Sequence, residues 1–388
     1  MMRRFYTGRD MKRILSVDEM RAAALKRLPA LVAEYLEGGA EDEITLSRNR
    51  DVFRSEIFRP RVLRGQSTPD LTAGEALLPI AIAPTGFAGL FAQKGDLALA
   101  RAARSAGVPM CQSTVSNAAL EELSPILGSL HWMQIYIFRS RPFMEQLLER
   151  CEAAGIQRLV VTLDASIFGN REWDRRSYTA DGTPRLSRKI EAVRHLEWLF
   201  SVYLPGLPTF GNLAAFLPEG KRDLASATAW SRNEIEDRLD RSWFDWLRAN
   251  WQGELWIKGV LRGDDARMLL DAGANGIVVS NHGGRQLDGA AASLDALSEV
   301  MVAAKGAPVW LDSGIRRGAD IAKALIRGAD GVLVGRAALY GLAAGGEAGV
   351  ARVLQMLGEE LARVMAMLGV RDIEALRDPD LLAHFQQI

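Results

Sequence analysis

Short apolar runs recur along the chain, separated by longer stretches in which apolar positions return every three or four residues. The runs at 78–83, 108–112, 132–136, 159–163, 255–260, 276–280, 309–312 and 331–335 read as strands buried on both faces. The stretches at 96–106, 141–154, 264–272, 294–304 and 320–327 carry the period of amphipathic helices. Gly107, Gly155, Gly273 and Gly328 follow four of these stretches, where a helix commonly ends in a left-handed residue. Eight strands alternating with helices predict an α/β fold, a (β/α)8 TIM barrel over about residues 75–365. A doubly wound open sheet is the competing arrangement, but no GxGxxG follows the first strand.

Two regions depart from the repeat. The first ~70 residues precede the barrel, read as helical over 17–38, and are expected to form an N-terminal cap within one domain. Between the fourth and fifth strands lie about 90 residues instead of the usual ~20–35, an insertion placed at about 175–250. A long excursion at a barrel's mouth serves as a lid, a binding loop or an interface.

Charge and cysteine content narrow the classes. Forty-eight basic residues balance 48 acidic ones, so no global field points to nucleic acid. The two cysteines, Cys111 and Cys151, supply neither a disulfide framework nor a metal-ligand pattern, which fits a reducing, cytoplasmic setting and no metal site. The basic N-terminus lacks the apolar core of a signal peptide, and no run of ~18 apolar residues could span a bilayer.

The densest chemistry is SNHGGRQLD at 280–288, directly after the sixth strand. His282 titrates nearest neutrality of the common side chains, and Arg285, three residues on, can grip a carboxylate in two places. A base beside a carboxylate clamp suggests proton removal next to a carboxylate. Of the other histidines, His131 begins a strand, His195 lies in the excursion and His384 near the tail. Strands seven and eight are followed by Asp312-Ser313-Gly314-Ile315-Arg316 and Gly335-Arg336. Glycine beside arginine in both loops matches the usual phosphate site of such barrels. Lys258 stands inside an otherwise apolar strand and needs an anionic partner.

The string at 280–288, with Pro84-Thr85-Gly86, the stretch 94–101, Asp312-Ser313-Gly314 and 340–344, resembles the FMN-dependent α-hydroxy-acid oxidase and dehydrogenase family. The resemblance runs from about Asp18 to the last thirty residues and is strongest to the bacterial branch that acts on (S)-mandelate. It implies FMN as cofactor and the oxidation of an (S)-2-hydroxy acid. Quinone or oxygen would then be the electron acceptor, and a homotetramer the family's habit. By resemblance, His282 is the base, Asp164 its carboxylate partner, and Arg285, Arg171 and Tyr35 the contacts of the substrate carboxylate, with Tyr136 at the hydroxyl. The flavin contacts are Pro84, Thr85, Gly86, Ser113, Gln134, Thr162, Lys258 and Ser280, with Asp312 on the ribityl chain and Gly314, Arg316, Gly335 and Arg336 at the phosphate. Ser313 replaces a glycine found in many relatives.

Gly86 and Val115 stand where relatives that use small acids carry larger residues, so the space beside the flavin is expected to admit a bulky, aromatic side chain. In the excursion, the apolar stretch 195–208 follows Arg185, Arg188, Lys189 and Arg194. Basic flanks beside Trp198, Phe200 and Leu204 suit shallow insertion at the inner face of the cell membrane, as the resemblance also implies. Because every candidate catalytic residue lies outside 188–221, removing that stretch is expected to leave catalysis intact.

Overall fold

The computed structural model describes residues 5–65, 68–179, 183–207, 209–214, 216–217, 224–383 and 386–387. His384, Pro208 and Lys221 lie outside them. Eight parallel strands close into a barrel in chain order: β1 (Ile80–Ile82), β2 (Met110–Gln112), β3 (His131–Ile135), β4 (Arg158–Thr162), β5 (Glu254–Val260), β6 (Gly276–Val279), β7 (Val309–Asp312) and β8 (Gly331–Val334). Pairing of Ile80 with Val332 seals the ring. Each strand falls where its apolar run predicts it, with no end displaced by more than two residues. Gly107, Gly155, Gly273 and Gly328 all take positive φ beyond helix ends.

Alternation along the strands sends Ile80, Ile82, Ile277 and Val279 outward to the helices, and Ala81, Trp132, Val160, Trp256, Val278 and Trp310 into the lumen. The three indoles pack edge and face, 5.0 to 6.3 Å between ring centres, and stop the floor of the barrel. They fit because β6 and β8 open with glycine: a Cβ on Gly276 or Gly331 would lie within 2.8 Å of Trp256 or Trp310. Arg158 sits 4.3–4.4 Å from the Trp132 and Trp256 rings, closing that end from below. With the floor filled, only the C-terminal mouth can receive a ligand.

The cap differs from the single helix expected over 17–38. Pro29 breaks it into Val17–Arg27 and Ala30–Glu37, since proline brings no N–H and fits best just before a helix begins. A third helix, Ile44–Ser55, is largely polar, with Thr45, Asn49, Val52 and Phe53 buried, and is not among the elements expected from sequence. The first helix packs on the long C-terminal helix Arg336–Leu368, which bends at Gly345 and Gly346. Glu56–Ile57 pairs with Gln386–Gln387, a contact between chain ends that no local pattern announces.

Between β4 and β5 the excursion carries helices Glu172–Arg176, Leu186–Val193, Leu196–Trp198, Leu224–Glu234 and Arg241–Asn250, with a π-turn at Leu199–Tyr203. Among the described residues no helix is long and apolar enough to cross a membrane.

Candidate active site

Just past β6 the chain enters a turn that only a constrained site would keep. His282 has φ 59°, followed by Gly283 at 68° and Gly284 at 74°. A left-handed histidine costs about 1–3 kcal/mol and persists when its surroundings fix it. Here the His282 N–H donates to Ser280 Oγ (3.0 Å), Gly283 N–H to Ser313 Oγ (3.0 Å) and Gly284 N–H to Asn281 Oδ1 (3.2 Å). Asn281 and Asn49 of the cap exchange amide hydrogen bonds of 2.8 and 2.7 Å while both are buried, so the cap helix clasps the turn. Ser313, at φ 86°, bears the strain that glycine avoids in relatives, and its hydroxyl gains the bond to Gly283.

Below the turn, Lys258 Nζ donates to Ser280 Oγ (2.8 Å) and lies 2.8 Å from Asp312 Oδ2, and Ser280 Oγ donates to the same oxygen at 2.6 Å. All three are buried. Burial works against the charge on Lys258, but Asp312 and then Asp164 outweigh it and hold the ammonium above its ordinary pKa. Burial likewise opposes Asp312, and Lys258 with the Ser280 hydroxyl keeps that carboxyl below its usual range. A bulge in β5 between Lys258 and Val260 turns this strand end, with Gly259 at φ 101°. Only glycine leaves room there for Asp164, whose Cγ would sit 2.6 Å from an added Cβ.

Asp164 Oδ1 meets His282 Nδ1 at 3.0 Å. Burial lowers the imidazole pKa more than Asp164 raises it, so His282 is held below the ordinary histidine value and rests neutral. That is the protonation state a base requires.

Arg171 and Arg285 border the same cleft. Arg285 Nη1 donates to the carbonyls of Tyr35 (2.9 Å) and Gly38 (2.6 Å), Nη2 to Asp174 Oδ2 (3.1 Å), and the guanidinium lies 5.0 Å from the Tyr35 ring centre. Arg171 Nε donates to the Arg285 carbonyl (3.1 Å) and Nη2 to Gln286 Oε1 (3.0 Å). Gln286 is in turn fixed by Asp164 O and Ile167 O. Burial, then Arg285, lowers the Arg171 pKa to about 10, which leaves it charged near neutrality. Tyr136, its hydroxyl raised to about 12 by burial, lines the cleft beside Tyr35.

Across the mouth, Ser113 Oγ donates to Gln134 Oε1 at 3.1 Å. Pro84, Thr85, Gly86, Gln134, Thr162 and Lys258 line the floor of the cleft, and Asp312, Gly314, Arg316, Gly335 and Arg336 one side. Gly314, at φ 87°, lies so close to Asn49 that a Cβ would come 2.1 Å from its carbonyl oxygen. Arg336 lines the cleft, and its Nε, Nη1 and Nη2 donate to the carbonyls of Leu36, Gly283 and Gly38 at 2.8–2.9 Å, so it also ties cap to turn. The space beside Gly86 is also narrower than glycine implies, because Val115 Cγ2 is 2.7 Å from where a Cβ would stand.

The cleft has a volume of about 1520 Å³. Among the described residues, Gln134 Nε2, Thr162 Oγ1 and Arg316 Nε are buried along it without a protein partner. Buried polar atoms of folded proteins are nearly always satisfied. Orphans at the ends of β3 and β4 and past β7 therefore fit a ligand with a polar ring edge and an anionic tail, as FMN is.

Sequence reading missed Asp174, Gln286, Asn49 and Asn281, whose partners lie far away in the chain. It also placed Trp198 outward, where the structure does not. Trp198 is buried and donates to Leu90 O (2.7 Å), and Phe210 and Asn212 are fully buried beside the site. Leu186, Ile190, Val193, Leu196, Phe200, Tyr203, Leu204 and Leu207 are among the apolar side chains left exposed.

The family described as FMN-dependent dehydrogenase matches residues 24–384. An L-lactate dehydrogenase from Allorhizobium ampelinum is 39% identical over 377 residues, 96% of this chain and 99% of the relative. The crystal structure of the monotopic membrane protein (S)-mandelate dehydrogenase superposes with a TM-score of 0.91 at 37% identity, covering 97% of this chain and all of that one. A mandelate oxidase solved with (S)-4-hydroxymandelic acid is 34% identical, with a TM-score of 0.81 over 96% of this chain and 98% of its own.

Proposed function

The chain belongs to the FMN-dependent dehydrogenases and oxidises 2-hydroxy acids with FMN, and from that premise we propose which residues act and on which acids. His282 takes the substrate proton, and Asp164, accepting from Nδ1, orients the ring and stabilises the imidazolium that forms. Arg171 and Arg285 bind the carboxylate, Tyr35 completes that contact, and Tyr136 faces the hydroxyl. The observation that carries this reading is one cleft lined by His282, with Asp164 bonded to its Nδ1, and by the guanidinium-bearing Arg171 and Arg285. When bound, FMN supplies a two-electron acceptor. Gln134, Thr162, Ser113, Lys258 and Ser280 would hold its ring, with Pro84, Thr85 and Gly86 along it. Asp312 would take the ribityl chain, and Gly314, Arg316, Gly335 and Arg336 the phosphate.

The preferred substrate is an (S)-2-hydroxy acid with a bulky, aromatic side chain, supported by Gly86 and by the mandelate-using relatives. A lactate-sized substrate is the second reading, favoured by Val115 leaning into the space at Gly86 and by relatives named L-lactate dehydrogenase. For the acceptor we propose a membrane quinone. The exposed apolar side chains of 186–207 stand beside Arg185, Arg188, Lys189 and Arg194, an arrangement suited to peripheral contact with an anionic bilayer. Oxygen, as in the oxidase relative, is the alternative. Anaerobic flavin bleaching across a panel of 2-hydroxy acids tests the substrate, and absence of bleaching with all of them would refute the reading. Hydrogen peroxide yield with and without a quinone tests the acceptor.

A further inference from the structure

The segment 209–212 lies inside the excursion and carries no chemistry of its own, yet it touches the substrate side of the mouth at several points. The loop after β2, which bears Ser113 and Val115, closes one turn of its own, Ser116 N–H to Ser113 O (3.0 Å). It is held on its inner side by Gln134, which accepts from Ser113 Oγ and Thr114 N–H (3.1 Å each), and by Asp96, which accepts from Asn117 and Ala118 N–H (2.8 and 3.1 Å). Its outer edge is held from the excursion. Gly211 N–H donates to Ser116 O (3.1 Å), Asn117 Nδ2 to Thr209 O (3.1 Å) and Asn212 Nδ2 to Ser113 O (3.3 Å). Asn212 Oδ1 accepts from Leu120 N–H (2.9 Å), and its carbonyl accepts from Arg150 Nη1 (3.0 Å). Asn212 is fully buried with both ends of its amide bonded. The contact is flat because residue 211 is glycine: a Cβ would lie 2.3 Å from Ala119 N and 2.4 Å from the Ala118 carbonyl carbon. One residue earlier, Phe210 packs edge-on to Phe87 (4.9 Å between centres), and Phe87 packs on Tyr35 (5.3 Å). Phe87 itself has φ 61° directly after Gly86, a conformation that needs external support.

We propose that 209–212 is a specificity-determining strap, and that Asn212 is the positioning residue through which it fixes Val115 against Gly86. Ser113 carries the link. Its carbonyl is held by Asn212, and its hydroxyl accepts the Val115 N–H at 3.2 Å. Releasing the carbonyl from Asn212 lets the outer edge of the loop shift about its Gln134 and Asp96 anchors, and the Val115 side chain moves relative to Gly86. Phe210 does the same for the opposite wall through Phe87 and Tyr35. Pocket width is thus set by a segment that touches no substrate.

This inference rests on the 2-hydroxy-acid reading, which the parent enzyme's own flavin bleaching checks first. The test uses the FMN-loaded full chain with Asn212→Asp, which keeps the acceptor for Leu120 N–H and removes the donor to Ser113. Phe210→Leu is the second variant, retaining apolar volume without the ring. The readout is the ratio of kcat/KM for (S)-mandelate to that for L-lactate, with KM and kcat resolved and the melting temperature recorded. The strap predicts a shift of that ratio by about fivefold or more, below the ~10–200-fold of a whole methylene, carried by KM. Ratios within fivefold of the parent in whichever variants fold would overturn the proposal, whatever happens to melting temperature. So would a ratio change confined to kcat.

Discussion

Phe200 and Phe210 belong to the same excursion and to similar apolar stretches of sequence, yet Phe200 is 64% exposed and Phe210 not at all. The first stands with Leu186, Ile190, Val193, Leu196 and Leu204 on an outer half that turns apolar groups to the surroundings. The second stands with Asn212, Leu213 and Leu217 in a buried inner half packed behind the mouth. Hydrophobicity does not separate them. What separates them is where backbone polar groups find partners: 209–212 bonds to the loop after β2, whereas the exposed helix Leu186–Val193 satisfies its carbonyls internally. A helix can therefore face outward, while an irregular strap must lie against something that completes its hydrogen bonds.

The sharpest way to break this comparison is deletion. Removing 188–221 takes away Phe210 and Asn212, whose burial argues against the expectation that catalysis survives. The truncated chain should fail to retain FMN or to melt cooperatively. A yellow, active deletion product would show the inner half to be dispensable.

Next in size is the base. His282→Ala should lower substrate-driven flavin reduction by at least ~10²-fold while FMN stays bound, read by anaerobic stopped flow. Asp164→Asn should cost less, about tenfold or more, at the low end of what orienting a base contributes. It also moves the acid limb of kcat/KM. Because burial already depresses the His282 pKa and Asp164 pushes it upward, the parent's limb should lie below ~6.5 and activity should disappear as pH falls through it. Losing Asp164 removes the upward push, so the limb should move lower still. A limb that moves upward would contradict the pairing.

A calibrated contrast comes from the two phenylalanines. Phe210→Ala should destabilise by about 3–5 kcal/mol, the range for emptying a buried aromatic site. Phe200→Ala should stay within ~0.5 kcal/mol, as exposed substitutions do. Equal losses in thermal or urea melts would erase the distinction between the halves. The smallest expected effect on catalysis belongs to the outer half. Replacing Leu186, Ile190, Val193, Phe200 and Leu204 by serine or glutamine should leave flavin reduction within about twofold, as for exposed sites, while abolishing sedimentation with anionic vesicles. Retained vesicle binding would remove the outer half from the membrane reading.

Much of this protein was legible in its sequence, for identifiable reasons. Apolar runs are local, so the barrel, its strand order and the placing of His282, Asp164, Lys258 and Asp312 at strand ends could be read residue by residue. Glycine in a left-handed or crowded position is likewise a local mark, as at Gly283 and Gly314. What tertiary structure alone decided depends on partners distant in sequence. Arg336 is directed to the carbonyls of Leu36, Gly38 and Gly283 because the cap returns over the mouth. Val115 narrows the space that Gly86 opens, and Asn49 holds the turn of His282 through Asn281. Trp198 and Phe210 went inward while Phe200 stayed out, although composition favours none of them. An apolar side chain specifies only that it prefers to leave water; which surface receives it is fixed once the rest of the chain has closed around it.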